Sequence, residues 1–196
     1  MLETIKKKCK EHVQQLFATT NTEKLCYHNY EHTVDVVLRI QTLSPHLNSK
    51  QQNLLTIAGW FHDVGYLYGY DQHEHRGMKI AATYLRTDLS AEDITTITQC
   101  IEATQLKMPP RNELEEIIKD ADIGYGVTEH FFTTGPQLRK EWQFMLNKTY
   151  SDKDWELLQY EFLKQVVFYS PKAKATYQPI LKQNLNLQLR KIDALA

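Results

Sequence analysis

Glycine is missing from both ends of this 196-residue chain: all seven glycines lie between Gly59 and Gly135, with none in residues 1–58 or 136–196. Backbone freedom is concentrated mid-chain, where turns and close approaches around a site are expected. Cysteine is also sparse. Cys9, Cys26 and Cys100 are odd in number, widely separated and form no CxxC, which argues against a disulfide framework and a thiolate zinc site. Charge of one sign is lacking too. The 23 basic and 24 acidic residues leave a formal net charge of −1, so no global field draws a nucleic acid polymer or an anionic membrane. The densest basic run, KKKCK at 6–10, is flanked by Glu3 and Glu11 and reads as a solvated helix face. No stretch of about eighteen apolar residues occurs, and the opening MLETIKKKCKEH has no apolar core of the signal-peptide kind. The expectation is a cytoplasmic protein without membrane contact.

Apolar and polar residues seldom alternate for long, and no repeat or low-complexity tract is present. Helical spacing dominates instead, so an all-α class is expected. The pattern predicts helices over 2–18, from an Asn29 cap to Ser44-Pro45, over 49–63, 72–86, 90–105, 111–123, 136–147, 152–168 and 172–192. Val166, Val167 and Phe168 are taken as the end of a buried helix. The length suits one domain, since ordinary domains hold roughly 100–200 residues. The aromatic residues of the C-terminal part, among them Trp142, Trp155 and Phe168, recur at helical spacing and are expected to pack.

Three segments put metal-binding side chains on or beside an apolar stripe. In YHNYEHTVDV, residues 27–36, His32 heads the stripe Val36, Ile40, Leu43. In FHDVGY, residues 61–66, His62 extends Leu55 and Ala58, with Asp63 next to it. In LEEIIKDADIGYG the stripe Leu114, Ile117, Ile118, Ala121 leads to Asp122, whereas Asp120 continues the solvent-like face of Glu113 and Glu116. Inward carboxylates are costly to bury without partners. Two imidazoles and two carboxylates around one divalent cation resolve this, because their charges sum to −2. The set His32, His62, Asp63 and Asp122 is a mixed nitrogen and oxygen shell, which suits Mn²⁺, Fe²⁺, Co²⁺, Ni²⁺ or Zn²⁺, with Mg²⁺ a less natural fit. Four ligands in an octahedral shell leave two positions open, as a catalytic site requires.

These motifs resemble the H…HD…D pattern of the HD-domain superfamily of metal-dependent phosphohydrolases, matched by His32, His62-Asp63 and Asp122. The resemblance covers roughly residues 20–135. It implies an HD-domain helical bundle, with further C-terminal helices over about 136–192 packed on it, one bound metal ion and hydrolysis of a phosphate ester or anhydride. YHNYEHTVDV is also similar to the opening signature of class I cyclic-nucleotide phosphodiesterases, which implies that His28 is a general acid and His32 a metal ligand. The four-residue spacing puts both imidazoles on one helical face. HDVGY lacks those enzymes' second histidine, no purine-binding glutamine segment is recognisable, and no HH pair lies between Asp63 and Asp122. One ion rather than two is expected.

DQHEHRG, residues 71–77, looks like the E-x-x-S/G step that follows HD in the superfamily, which implies that Glu74 orients or deprotonates the attacking water, with Asp63 as the alternative. IEATQLK, residues 101–107, matches the family's I-x-A-T segment, which implies that Thr104 and Lys107 line a phosphate pocket. Arg76 is placed to grip a phosphate bidentately. Asp35, three residues after His32, is either an acceptor for a ligand imidazole N–H or a surface carboxylate. One of Tyr66, Tyr68, Tyr70 or Tyr125 could stack on a base. The substrate expected is a small phosphorylated molecule, a nucleotide first. Two other readings stand beside it: a regulatory module that binds a phosphorylated ligand with little or no turnover, and a di-iron oxygenase drawing extra ligands from His73, Glu74 or His75.

Overall fold

Helices begin where the sequence supplies a side chain for their free N–H groups. Asn29 Oδ1 accepts from His32 N at 2.9 Å and opens α2, Tyr30–Leu43. Asn48 and Gln51 form a reciprocal capping box ahead of α3, Ser49–Phe61. Ser90, Asn112, Ser151 and Ser170 cap α5 (Ala91–Ala103), α6 (Glu113–Val127), α8 (Asp152–Gln165) and α9 (Pro171–Asp193) in the same way. The remaining helices, α1 (Leu2–Thr19), α4 (His73–Leu85) and α7 (Phe131–Leu146), have no side-chain cap. A 3-10 turn spans Val64–Tyr68. This computed structural model describes residues 1–195, and no strand occurs among them. The fold is all-α.

The predicted stripes lie inside. Val36, Ile40, Leu55 and Ala58 are 0 % exposed and meet Ile117, Ile118 and Ala121 of α6 in one buried cluster. The valine, leucine and isoleucine side chains among them contribute about 1.5–3 kcal/mol each by leaving water. Helix α6 is central: it packs on α2, α3 and α5 on one side and on α7 and α9 on the other. Phe168, Ala173, Tyr177 and Leu181 join the same cluster from the C-terminal segment. The lysines of 6–10 lie on α1, where Lys6 pairs with Glu3 and Lys7 with Glu11 at the surface.

Two glycines let backbone pass backbone near the ends of α3 and α4. A Cβ on Gly65 would fall 1.9 Å from the His73 carbonyl oxygen, so the 3-10 turn runs directly against the start of α4. A Cβ on Gly77 would sit 2.9 Å from the Phe61 oxygen and 3.2 Å from that of His62. Helix α4 can therefore press Glu74, one turn before Gly77, toward the end of α3.

Several boundaries differ from expectation, among them the end of α6, which runs on to Val127 and not 123. Helix α3 stops at Phe61, and Asp63 leads into the 3-10 turn. Helix α7 starts at Phe131, not 136, and carries Pro136 inside it. Pro136 has no N–H for the helix ladder, while Phe131, Thr134 and Gly135 of the preceding turn are buried. Helix α8 ends at Gln165, and Val166 turns extended, so Val166, Val167 and Phe168 are not its last turn. Phe168 is still buried, at 1 % exposure, because α9 folds back over it.

Candidate metal centre

Four side chains converge from three helices. His32 lies in the first turn of α2, His62 caps the end of α3 with Asp63 leading on into the 3-10 turn, and Asp122 comes from the middle of α6. One ligand atom from each falls within a sphere of contacts no wider than 4.8 Å. The two Nε2 atoms are 3.2 Å apart. Asp63 Oδ2 lies 3.0 Å from His32 Nε2 and 3.3 Å from His62 Nε2; Asp122 Oδ1 lies 3.3 and 3.7 Å from them. His62 Nδ1 donates to the Gly59 carbonyl at 2.8 Å, which leaves the Nε2 lone pair of the neutral ring aimed into the cluster.

The donor set fits a divalent cation. Neighbouring ligands about an ion at 2.0–2.1 Å stand roughly 3.0 Å apart, close to the observed separations. Without a cation the group is unsatisfied: Asp63 Oδ2 is buried with no aligned hydrogen-bond donor among the described residues, despite its nearness to both rings. Burial by itself would raise both carboxylates and lower both imidazoles, but the mutual pairing overrides it. Asp63 and Asp122 are held below the ordinary carboxylate range by His32 and His62, and the two rings are held above theirs by the carboxylates. Ligand imidazoles must be neutral and ligand carboxylates ionised, so ion binding is coupled to proton release. Asp122 keeps 23 % side-chain exposure against 0–4 % for the other three, so the cluster opens to solvent on that side.

Around this opening stand rings and carboxylates. His28 stacks on Tyr66 with centroids 4.0 Å apart, and Tyr66 stacks on His73 at 3.8 Å. His73 Nε2 lies 3.3 Å from Glu74 Oε1 and 3.7 Å from Asp63 Oδ1, linking the two acids. The His28 ring pairs through Nδ1 with Glu141 of α7, a carboxylate 0 % exposed. Glu141 Oε2 also accepts from the Tyr27 and His28 amides at 2.8 and 3.0 Å, and Oε1 from the Tyr70 hydroxyl at 3.0 Å. Burial would raise Glu141, but His28 and these amides hold it below the ordinary range. Nothing in the sequence reading singled out Glu141.

Other expected residues are used differently. Arg76 donates from Nε to the Gly65 carbonyl at 3.2 Å and from Nη2 to that of Gly69, so its guanidinium holds the loop after the 3-10 turn. Thr104 is buried and its hydroxyl donates to Ile101 O at 2.7 Å, which leaves no proton for a phosphate oxygen. Lys107 is exposed in the turn beyond α5. The ammonium beneath that turn is Lys119, 4 % exposed, donating to the carbonyls of Ala103 and Gln105 at 3.1 and 2.6 Å. Asp35 takes Arg39 Nε at 2.5 Å and lies 3.6 Å from His130 rather than meeting a ligand histidine. His32 Nδ1 accordingly has no partner among the described residues. Asp120 is not solvent-facing: it is 1 % exposed and accepts from Tyr169 N, Ser170 N and Ser170 Oγ at 2.7–2.8 Å, tying the start of α9 to α6. Tyr68 is exposed, whereas Tyr66, Tyr70 and Tyr125 lie around the histidines.

Comparison with known proteins meets this geometry. The family model described as HD domain matches residues 29–140, more than half of the chain, and the match contains all four convergent ligands. No curated protein and no solved structure matches the chain significantly. No helix among the described residues is long and apolar enough to cross a membrane. With the helical fold, the histidine and aspartate cluster and the family match together, the chain belongs to the HD domain family, within the superfamily of metal-dependent phosphohydrolases.

Proposed function

We propose that this protein hydrolyses a phosphate ester or anhydride of a small molecule, a nucleotide first among them, with one divalent transition ion held by His32, His62, Asp63 and Asp122. The observation that carries the reading is the convergence of two imidazole Nε2 atoms and two carboxylates, with a buried Asp63 oxygen that has no hydrogen-bond partner among the described residues. Such an ion, when bound, lowers the pKa of a bound water and polarises a phosphoryl oxygen. The chain's own residues divide the remaining work. His28 turns Nδ1 to Glu141, so its Nε2 is the nitrogen that carries a proton to the leaving oxygen. Glu74, joined through His73 to Asp63, orients the attacking water and accepts its proton. Asp122 forms the open edge over which substrate reaches the ligands.

Arg76 and Lys107 are the cations assigned to offset phosphate charge. Arg76 has three of its five guanidinium donors left after holding the loop, and Lys107 is free at the surface. Buried Lys119 supports the segment Ala103–Gln105 from below.

The deciding experiment is a turnover screen of nucleoside mono-, di- and triphosphates and cyclic nucleotides, each with Mn²⁺, Mg²⁺, Co²⁺ or Ni²⁺. Metal-dependent release of phosphate, pyrophosphate or the opened ester is expected for at least one pair, with about one ion per chain by elemental analysis. Tight binding without product in every combination makes the protein a binding module. Two ions per chain at full occupancy overturn the one-ion assignment.

A further inference from the structure

A second opening, about 350 Å³, lies between α7, α8 and α9, away from the metal ligands. Its size is within the roughly 300–1,000 Å³ range of small-molecule sites. The floor is aromatic: Trp155 is 3 % exposed, Phe131 is 3 % exposed, and Tyr150 leans on Trp155 with centroids 5.6 Å apart. Cations crowd the wall. Arg139, Lys140, Lys148 and Lys191 line the opening against one carboxylate, Glu156. Arg139 is paired with Asp152 and Lys191 with Glu156, each at 2.7 Å. Lys140 and Lys148 have no carboxylate within 4.0 Å among the described residues; they lie over the rings of Phe144 and Trp142.

The floor also holds an unanswered polar group. Gln159 of α8 is 6 % exposed and lines the opening, with Oε1 facing Gly135, where a Cβ would stand 3.7 Å away. Among the described residues nothing hydrogen-bonds its side-chain amide, whereas nearby Gln188 donates to the Glu156 carbonyl at 2.9 Å and to its carboxylate. With no protein partner among the described residues, the Gln159 amide is open to a ligand or to water in the opening.

We propose that this opening is a second ligand site, for a nucleoside monophosphate or an organic anion of the same build. A planar ring with hydrogen-bonding edges lies against Trp155 and is read by the Gln159 amide, which both donates and accepts. The phosphate meets Lys148 and Lys140, the two cations that no carboxylate neutralises. The assignment is independent of the metal centre, although both sites share α7: Arg139 and Lys140 immediately precede Glu141, which holds His28.

The test is a titration of the full chain with AMP in the presence of chelator, followed by tryptophan emission, since Trp155 lines the opening and Trp142 packs edge-on against it. Saturable quenching is expected, with adenosine and inorganic phosphate each binding more weakly than AMP. Lys148→Ala and Gln159→Leu should each weaken AMP about 5- to 10-fold, the loss of one hydrogen bond or ion pair, while His32→Ala leaves it unchanged. Lys148 is exposed, so its variant reports even where Gln159→Leu disturbs folding. No saturable binding, binding unchanged in Lys148→Ala, or binding lost in His32→Ala each overturns the proposal.

Discussion

Replacing Glu141 by glutamine changes one atom in shape and much in hydrogen bonding. The carboxylate accepts four donors: the Tyr27 and His28 amides on one oxygen, the His28 ring and the Tyr70 hydroxyl on the other. A glutamine offers one acceptor oxygen and one NH₂ group, so one pair of donors must face another donor or turn away. Keeping the amide pair puts NH₂ against His28 Nδ1, which then accepts and leaves a neutral ring with a reluctant Nε2 proton. Two imperfectly met buried groups cost about 1–3 kcal/mol, and a chain of this length loses roughly 2–4 °C of Tm per kcal/mol. Turnover should suffer more than stability. General acid help is typically worth 10²–10⁴-fold, so Glu141→Gln should approach that loss on an alkyl phosphoester. The loss should shrink on a nitrophenyl ester, whose leaving group needs little protonation. Metal content should stay at the wild-type level, because Glu141 touches none of the four ligands. Equal losses on both esters would show that Glu141 places His28 without governing its proton. Loss of the ion, or wild-type turnover on both, refutes the reasoning.

Two further outcomes separate site from scaffold. Asp122→Ala should lose the ion with the fold intact, while Asp120→Ala should keep the ion and lose about 1–3 kcal/mol, since it strips the acceptor from Tyr169 and Ser170; elemental analysis with thermal melts distinguishes them, and ion loss in Asp120→Ala moves the ligand by two residues. Burial pushes the Cys9 and Cys100 thiols up to about 12 from 9.0, so a thiol reagent should modify only Cys26 in the native chain. Below pH 9 both states keep these thiols protonated; above it the unfolded chain ionises first, so denaturant stability should decline as pH climbs from 9 toward 12. A flat profile, or equal reactivity of all three cysteines, contradicts their burial.

Most of the helices could be read from the chain because cap and stripe agree. Asn29, Ser90 and Ser151 each precede an apolar stripe and each accepts the expected N–H. The failures lie where burial is not one-sided. Helix α6 reads as amphipathic, with Asp120 outward, yet Ile117, Ile118, Lys119, Asp120 and Ala121 are all buried. A central helix has a second covered face, and the cover here comes from α9, about fifty residues onward. Local periodicity reports one face of a helix; it cannot report that another helix will lie on the opposite one.

The candidate site divides in the same way. His32, His62 and Asp122 were legible because each sits on an apolar stripe, where a polar side chain needs a reason, and Asp63 because it stands next to His62. Glu141 was not, because Gly135-Pro136 reads as a helix start and cuts its stripe. Begun at Phe131, the same helix carries Phe131, Thr134, Leu138 and Glu141 at spacings of three and four, with Phe131, Thr134 and Glu141 buried. A carboxylate ending such a stripe carries the same signal as Asp122. That stripe ties two chemistries to one helix: its inner face holds the backbone and ring of His28, while Arg139 and Lys140 line the aromatic cleft beyond. The segment after residue 127 is thus joined to the proposed chemistry, since without α7 the His28 ring would have no acceptor to fix which nitrogen faces the substrate.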